Sequence, residues 1–125
     1  IAYMIDYLVR KRGLTLQEMS AVVAAPFWST IQAMEPEKHA LHKYLRANFS
    51  PMLITGPFSI LVGFTGGMMA LNDRLKLRSM VVAEKGERVY VASEECAIRV
   101  LEPELERVWA PRGGEAVVIR LKEGV

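Results

Sequence analysis

One short segment separates two hydrophobic patterns that no single kind of element can satisfy. Asn48 to Pro57 carries Pro51, Gly56 and Pro57, residues that interrupt helices and central strands alike. Upstream, Ile1, Met4, Ile5 and Leu8 recur at i, i+3, i+4 and i+7, the spacing of one buried helical face. Downstream, FSILVGF, MMALND, LRSMVVAE and RVYVAS are short apolar runs bounded by turn residues, the pattern of strands. Helices followed by antiparallel strands predict an α+β fold, helical over about 1–50 and β-rich over about 57–125, with helices packed on a mainly antiparallel sheet.

Local signals divide each part further. Lys11, Arg12 and Gly13 end the first helix, since cations and a glycine suit a helix C-terminus. Thr15 and Glu18 in TLQE make a capping-box pattern for a second helix, which Pro26 breaks. A third helix is expected from Pro36 to Ala47, with Leu41, Tyr44 and Leu45 at helical spacing. The stretch from Phe27 to Met34 reads as a short helix or irregular cover. In the β-rich part, Gly66-Gly67 is the expected turn of one hairpin and Lys85-Gly86-Glu87 that of the next. Arg99 to Leu105, with Pro103, reads as a connector, and LERVWA and EAVVIRL as a last strand pair around PRGG.

At 125 residues and 51% hydrophobic content, the chain suits one domain or part of one. Its sixteen basic and fourteen acidic side chains leave a charge of +2, and the cations are dispersed, which argues against a dedicated nucleic-acid surface. No apolar run approaches the roughly 18 to 20 residues that cross a bilayer. The single cysteine cannot form an internal disulfide, and no secretory-type leader precedes the first helix, so a reducing cytoplasm is expected. IAYMIDYLV opens without an initiator Met or a cap, and the chain is therefore expected to be cut from something longer.

Cys96 is the first candidate for chemistry, but a nucleophile needs a base and oxyanion donors beside it. The histidines are His39 and His42, both in the third helix. The favoured alternative for Cys96 is a small buried thiol just after a strand. Residues 39 and 42 share a helical side, yet no Cys or acidic cluster at ligand spacing accompanies them. No catalytic residue and no metal site is assigned, and nothing marks a substrate-binding residue. Gly66-Gly67 is not followed by a phosphate-loop or dinucleotide pattern. Asp73, Arg74 and Arg78 in NDRLKLRS remain: either a solvated turn with an ion pair, or charged support for a pocket at the sheet end.

These residues, in this order, resemble the class II glutamine amidotransferase domain, most closely that of glutamate synthases. The family has a DRNGLR-like box followed by a hairpin partner that ends in ASE. Here the box reads Asp73-Arg74-Leu75-Lys76-Leu77-Arg78 and the second motif Ala92-Ser93-Glu94. The Asp, both Arg and the Leu are kept, while Leu75-Lys76 replaces Asn-Gly and Ser79 replaces the following Pro. IAYMIDYLVRKRGLTLQEM is similar to the family's helix pair, Glu35 to Pro57 to its charged helix and Gly-Pro lead into a strand, and Val108 to Leu121 to its closing strands.

The resemblance implies an N-terminal-nucleophile hydrolase fold, a four-layer αββα sandwich in which glutamine is hydrolysed to glutamate and ammonia. In that family an amino-terminal Cys attacks the amide, and an Arg, an Asp and an Asn-Gly pair bind substrate and oxyanion. All of these would precede Ile1, so the chain corresponds to the C-terminal half of the domain and is expected to be inactive alone. The implied partner is the upstream or separately encoded half bearing the Cys, together with other glutamate synthase domains or subunits. Flavin and iron-sulfur centres belong to those other domains, and no cofactor is expected in this chain. Oligomerisation is expected because a half-domain exposes strand edges and apolar faces. As structure, Asp73 with Arg74 or Arg78 implies a partly buried charge pair, and Arg78→Ala is expected to destabilise the assembled domain. The competing expectations are a non-catalytic scaffold or metabolite-sensing subunit, and a small thiol enzyme using Cys96 with His39 or His42.

Overall fold

A computed structural model describes residues 1–123, so the last two positions of the expected β-rich part lie outside the described residues. The chain divides into two compact units, Ile1–Thr55 and from Gly56 onward. The fold is α+β, with the division inside the Pro- and Gly-bearing segment where the periodicity changes.

In the first unit, α1 (Ala2–Asp6) continues as a π-helical turn over Tyr7–Lys11. The wider turn is closed by the Arg12 amide donating to the Tyr7 carbonyl at 3.0 Å. Ile5 and Leu8 are buried and Met4 is half-buried, whereas Ile1 is exposed and falls off the expected face. Helix α2 (Leu16–Val23) starts at Thr15 with both halves of the capping box. Thr15 Oγ1 accepts from the Glu18 amide, and Glu18 Oε2 accepts from the Thr15 amide, each at 3.1 Å. Thr15→Ala is expected to destabilise this unit by about 1 kcal/mol, measured by equilibrium denaturation followed at Trp28.

Phe27 to Met34 contains the short helix α3 (Trp28–Gln32), and α4 spans Pro36–Phe49, slightly longer than its periodicity indicates. Arg46 ties α4 to the chain before α3: Nη1 donates to the Pro26 carbonyl at 3.0 Å, and the guanidinium lies 4.8 Å from the Trp28 ring centroid. Met19, Val22, Val23, Ile31, Leu45 and Phe49 form the core of this helical unit. A 3₁₀ turn, Ser50–Met52, ends it.

Among the described residues, the second unit holds two three-stranded antiparallel sheets. Strands β1 (Ser59–Phe64) and β2 (Gly67–Asn72) form the first hairpin. Its turn is Thr65-Gly66, with φ +86° at Gly66, and Gly67 already belongs to β2. The expected Gly66-Gly67 turn is thus displaced by one residue, because only the first glycine takes the left-handed conformation. Strands β3 (Val81–Lys85) and β4 (Arg88–Ala92) form the second hairpin, paired from Val81–Ala92 to Lys85–Arg88.

Two expectations are corrected here. Residues Glu95–Leu101 form a helix, α5, where a connector was expected from Arg99. Ile98 anchors it, and it packs across β4 and β3; a single buried apolar residue in so short a helix leaves little periodic signal. The last strands, β5 (Arg107–Trp109) and β6 (Val117–Arg120), do not pair with each other. β5 adds to β3 and β6 adds to β2, giving sheet orders β1-β2-β6 and β4-β3-β5. Pairing with different central strands separates them although seven residues of chain, 110–116, join them.

Candidate functional site

The charged box forms the turn that leaves β2 and enters β3. Asp73 directly follows the last residue of β2, and Asn72 and Asp73 are both buried despite their polarity. A buried carboxylate is tolerated only where donors replace its lost hydration. Asp73 has three such donors from the main chain: the Leu77 amide at 2.8 Å to Oδ2, and the Arg78 and Phe58 amides at 3.2 Å each to Oδ1. Its own amide donates to the Phe58 carbonyl at 3.0 Å, and its carbonyl accepts from the Lys76 amide at 2.9 Å. Burial pushes the carboxyl up, but the Leu77, Arg78 and Phe58 amides outweigh it and hold it below its ordinary value.

Asn72 closes the same turn, with Nδ2 donating to the Arg78 carbonyl at 2.9 Å. Its Oδ1 is buried with no hydrogen-bond partner among the described residues. The turn of PRGG packs directly on this loop. The Gly114 amide donates to the Asn72 carbonyl at 3.1 Å, and a Cβ on Gly113 would lie 2.5 Å from the Arg74 carbonyl oxygen. Gly113-Gly114, expected as a simple hairpin turn, instead docks one chain segment on another.

The Arg78 half of the expected charge pair is therefore revised. It is the main chain of Arg78, not its exposed guanidinium, that satisfies Asp73. Arg78→Ala keeps that bond, so its expected effect falls to about 0.5 kcal/mol or less in denaturation. Arg74 is half-buried. Lys76 carries φ +53°, in the left-handed region, which costs an L-residue about 1 kcal/mol. Relief of that strain, less the unfolded-chain entropy that a glycine adds, leaves Lys76→Gly an expected gain of about 0.5 kcal/mol or less, read from the denaturation midpoint.

Ala92, Ser93 and Glu94 leave the β3–β4 hairpin at the end where the box enters it. Ala92 pairs with Val81, so the chain on either side of that pair, Ser79-Met80 and Ser93-Glu94, departs from the same end. Glu94 precedes α5 without capping it through its side chain, and its Oε2 accepts from the Cys96 thiol at 3.3 Å. Cys96 is exposed, which corrects the expected buried thiol: residue 98, not 96, faces the sheet in α5. No histidine belongs to this unit, because His39 and His42 both lie on α4. Both are half-buried; burial, aided by the charge of Lys38, holds His42 below the usual histidine range. Among the described residues, no group of three or more His, Cys, Asp or Glu is placed to hold a metal ion. No helix among them is long and apolar enough to cross a membrane.

Sequence reasoning singled out Asp73, Arg74 and Arg78 but missed Asn72, Phe58 and Gly113 as parts of the same assembly. The available signal was the polar pair Asn72-Asp73 ending the apolar run MMAL, since polar residues continuing a buried strand need designated partners.

No protein-family model matches the chain, and no solved structure matches it. The chain is 43% identical over 122 residues to an uncharacterized protein of Archaeoglobus fulgidus, an alignment that covers 98% of this chain and 32% of the relative. The chain thus spans about a third of the length of the curated relative it matches.

Proposed function

We propose that the chain is the C-terminal portion of a glutamate synthase-type class II glutamine amidotransferase domain. Completed by a segment bearing an amino-terminal Cys, the domain hydrolyses glutamine to glutamate and ammonia. The observation that carries this reading is the geometry of the charged box. Lys76 stands where the resembled DRNGLR box has its glycine, and it takes the left-handed conformation, φ +53°, that favours glycine. The Asp of the box, Asp73, organises that turn through three amides. Box and ASE lie at one end of one hairpin. A layered sandwich is further supported by β2, where Met69, Ala70 and Leu71 are all buried, as in a strand covered on both faces.

In this reading the chain's own residues shape and stiffen the domain, and the activated nucleophile and oxyanion donors come from the completing segment. The longer relative is compatible with a chain that works as part of a larger polypeptide. The test is reconstitution with the adjoining or neighbouring gene segment that begins, after processing, with Cys. Glutamate and ammonia should form only when both parts are present and should vanish on replacing that Cys by Ser. Glutamine hydrolysis by the isolated chain, or none by the completed assembly, would reject the reading. An inert assembly with tight metabolite or protein binding would favour the alternative, a scaffold or sensing subunit that keeps the same half-fold.

A further inference from the structure

Two surfaces of the second unit are each apolar at the tip and charged around it, with opposite signs. The first is the turn 74–78, where Leu75 and Leu77 are 58% and 59% exposed and alternate with Arg74, Lys76 and Arg78. Exposed Arg112 adjoins it on the docked PRGG turn. The second is the exit of α5, where Val100 and Leu101 are 82% and 76% exposed and lead into Glu102, Glu104 and Glu106. From Arg99 to Arg107 the chain carries three glutamates and two arginines. Both arginines are engaged locally, Arg99 with Glu95 and the Pro103 carbonyl, Arg107 with Glu84 and the Trp109 ring.

These surfaces stand at opposite ends of the sheet β4-β3-β5. The basic turn enters β3 at Val81. The acidic segment is fixed at the far end, where the Glu106 amide donates to the Glu84 carbonyl at 3.0 Å and Glu106 Oε2 accepts from the Gly86 amide at 3.2 Å. The length of the strand keeps the two surfaces apart within one unit.

We infer that the two surfaces bind each other between two copies of the chain, the basic turn of one copy seated on the acidic exit of α5 of the other. With the copies side by side and antiparallel, the contact forms twice and closes a two-fold dimer. Opposed charge gives register and a fast, salt-sensitive encounter, while Leu75, Leu77, Val100 and Leu101 supply the apolar contact. The basic turn is pre-organised by Asp73, which lowers the ordering cost of binding. An anionic lipid surface would use the cations but needs neither a fixed turn nor the acidic pole. The inference does not depend on the amidotransferase reading.

Sedimentation velocity of the 125-residue chain against concentration and salt tests it. A reversible dimer is expected, its dissociation constant rising by about tenfold or more from low to high salt. Arg78→Glu and Glu104→Arg should each weaken the dimer about tenfold or more. An equimolar mixture of the two single variants should recover it, because both contacts of the mixed dimer then join Glu to Arg. Both positions are exposed, and circular dichroism checks that the variants fold. A monomer throughout, association indifferent to salt or to these charges, or no recovery in the mixture overturns the inference. So does binding to phosphatidylserine vesicles without dimer formation.

Discussion

Asp73→Ala is expected to lower the unfolding free energy of the second unit by about 3–5 kcal/mol. The residue is 1% exposed and accepts from the amides of Leu77, Arg78 and Phe58. Each donor stranded in a buried turn costs about 1–3 kcal/mol, less whatever water recovers. Asp73→Asn separates shape from charge. With its oxygen at the Oδ1 position it keeps Phe58 and Arg78 but turns its NH₂ on the Leu77 amide, so roughly half the loss is expected. Denaturation followed at Trp109, with Trp28 replaced by Phe, reads the second unit separately from the first. A loss under about 1 kcal/mol for Asp73→Ala would contradict the role given to the carboxylate.

The same residue sets a pH dependence. Its folded-state carboxyl is held below its ordinary value of 3.8, so the unfolded chain takes up the proton first as pH falls. The stabilisation is therefore complete above the unfolded value and is lost as pH drops through the lower folded value. Asp73→Asn should flatten that acid limb, while stability above about pH 5 stays parallel to the parent, offset by the constant cost of the substitution.

Gly113→Ala is expected to cost about 2–4 kcal/mol, a large figure for one added methyl group. The new Cβ would meet the Arg74 carbonyl oxygen at 2.5 Å, the Arg74 carbonyl carbon at 2.8 Å and the Asp73 carbonyl oxygen at 3.0 Å. These are main-chain atoms of a turn already fixed by Asp73, so no side-chain rotation relieves the contact. The PRGG turn would have to lift away, breaking the Gly114–Asn72 bond. Gly63→Ala, on β1 with nothing within 4 Å of the added atom, is the matched control and should change stability by less than about 0.5 kcal/mol. Faster amide exchange at Gly114 and Leu77 in Gly113→Ala would locate the damage, and equal behaviour of the two variants would refute the docking argument.

What the residue pattern made legible is the part governed by local chemistry. Thr15 and Glu18 are a self-contained cap, Pro36 sits where a helix tolerates proline, and two hairpins follow from apolar runs around short turns. The partners of β5 and β6 were not legible. RVW and VVIR are short apolar strands whose sequence neighbours look like hairpin mates, and only the free edges of β3 and β2 redirect them. In the site, Asp73 was visible as a charge but its partners were not. Backbone amides carry no sequence signature, and a charged neighbour such as Arg78 draws attention to its side chain although its amide makes the bond.

The division of β5 and β6 between sheets also fixes an order of events during synthesis. The β1–β2 hairpin is complete once Asn72 is made, and the β3–β4 hairpin once Ala92 is made, each from neighbouring sequence. β2 waits for Val117–Arg120 before its second edge is paired, a closure across a long loop that local contacts cannot hasten. A nascent chain halted between Trp109 and Val117 would hold one finished sheet beside an unfinished one, with the edge of Met68 to Ala70 open to any passing strand.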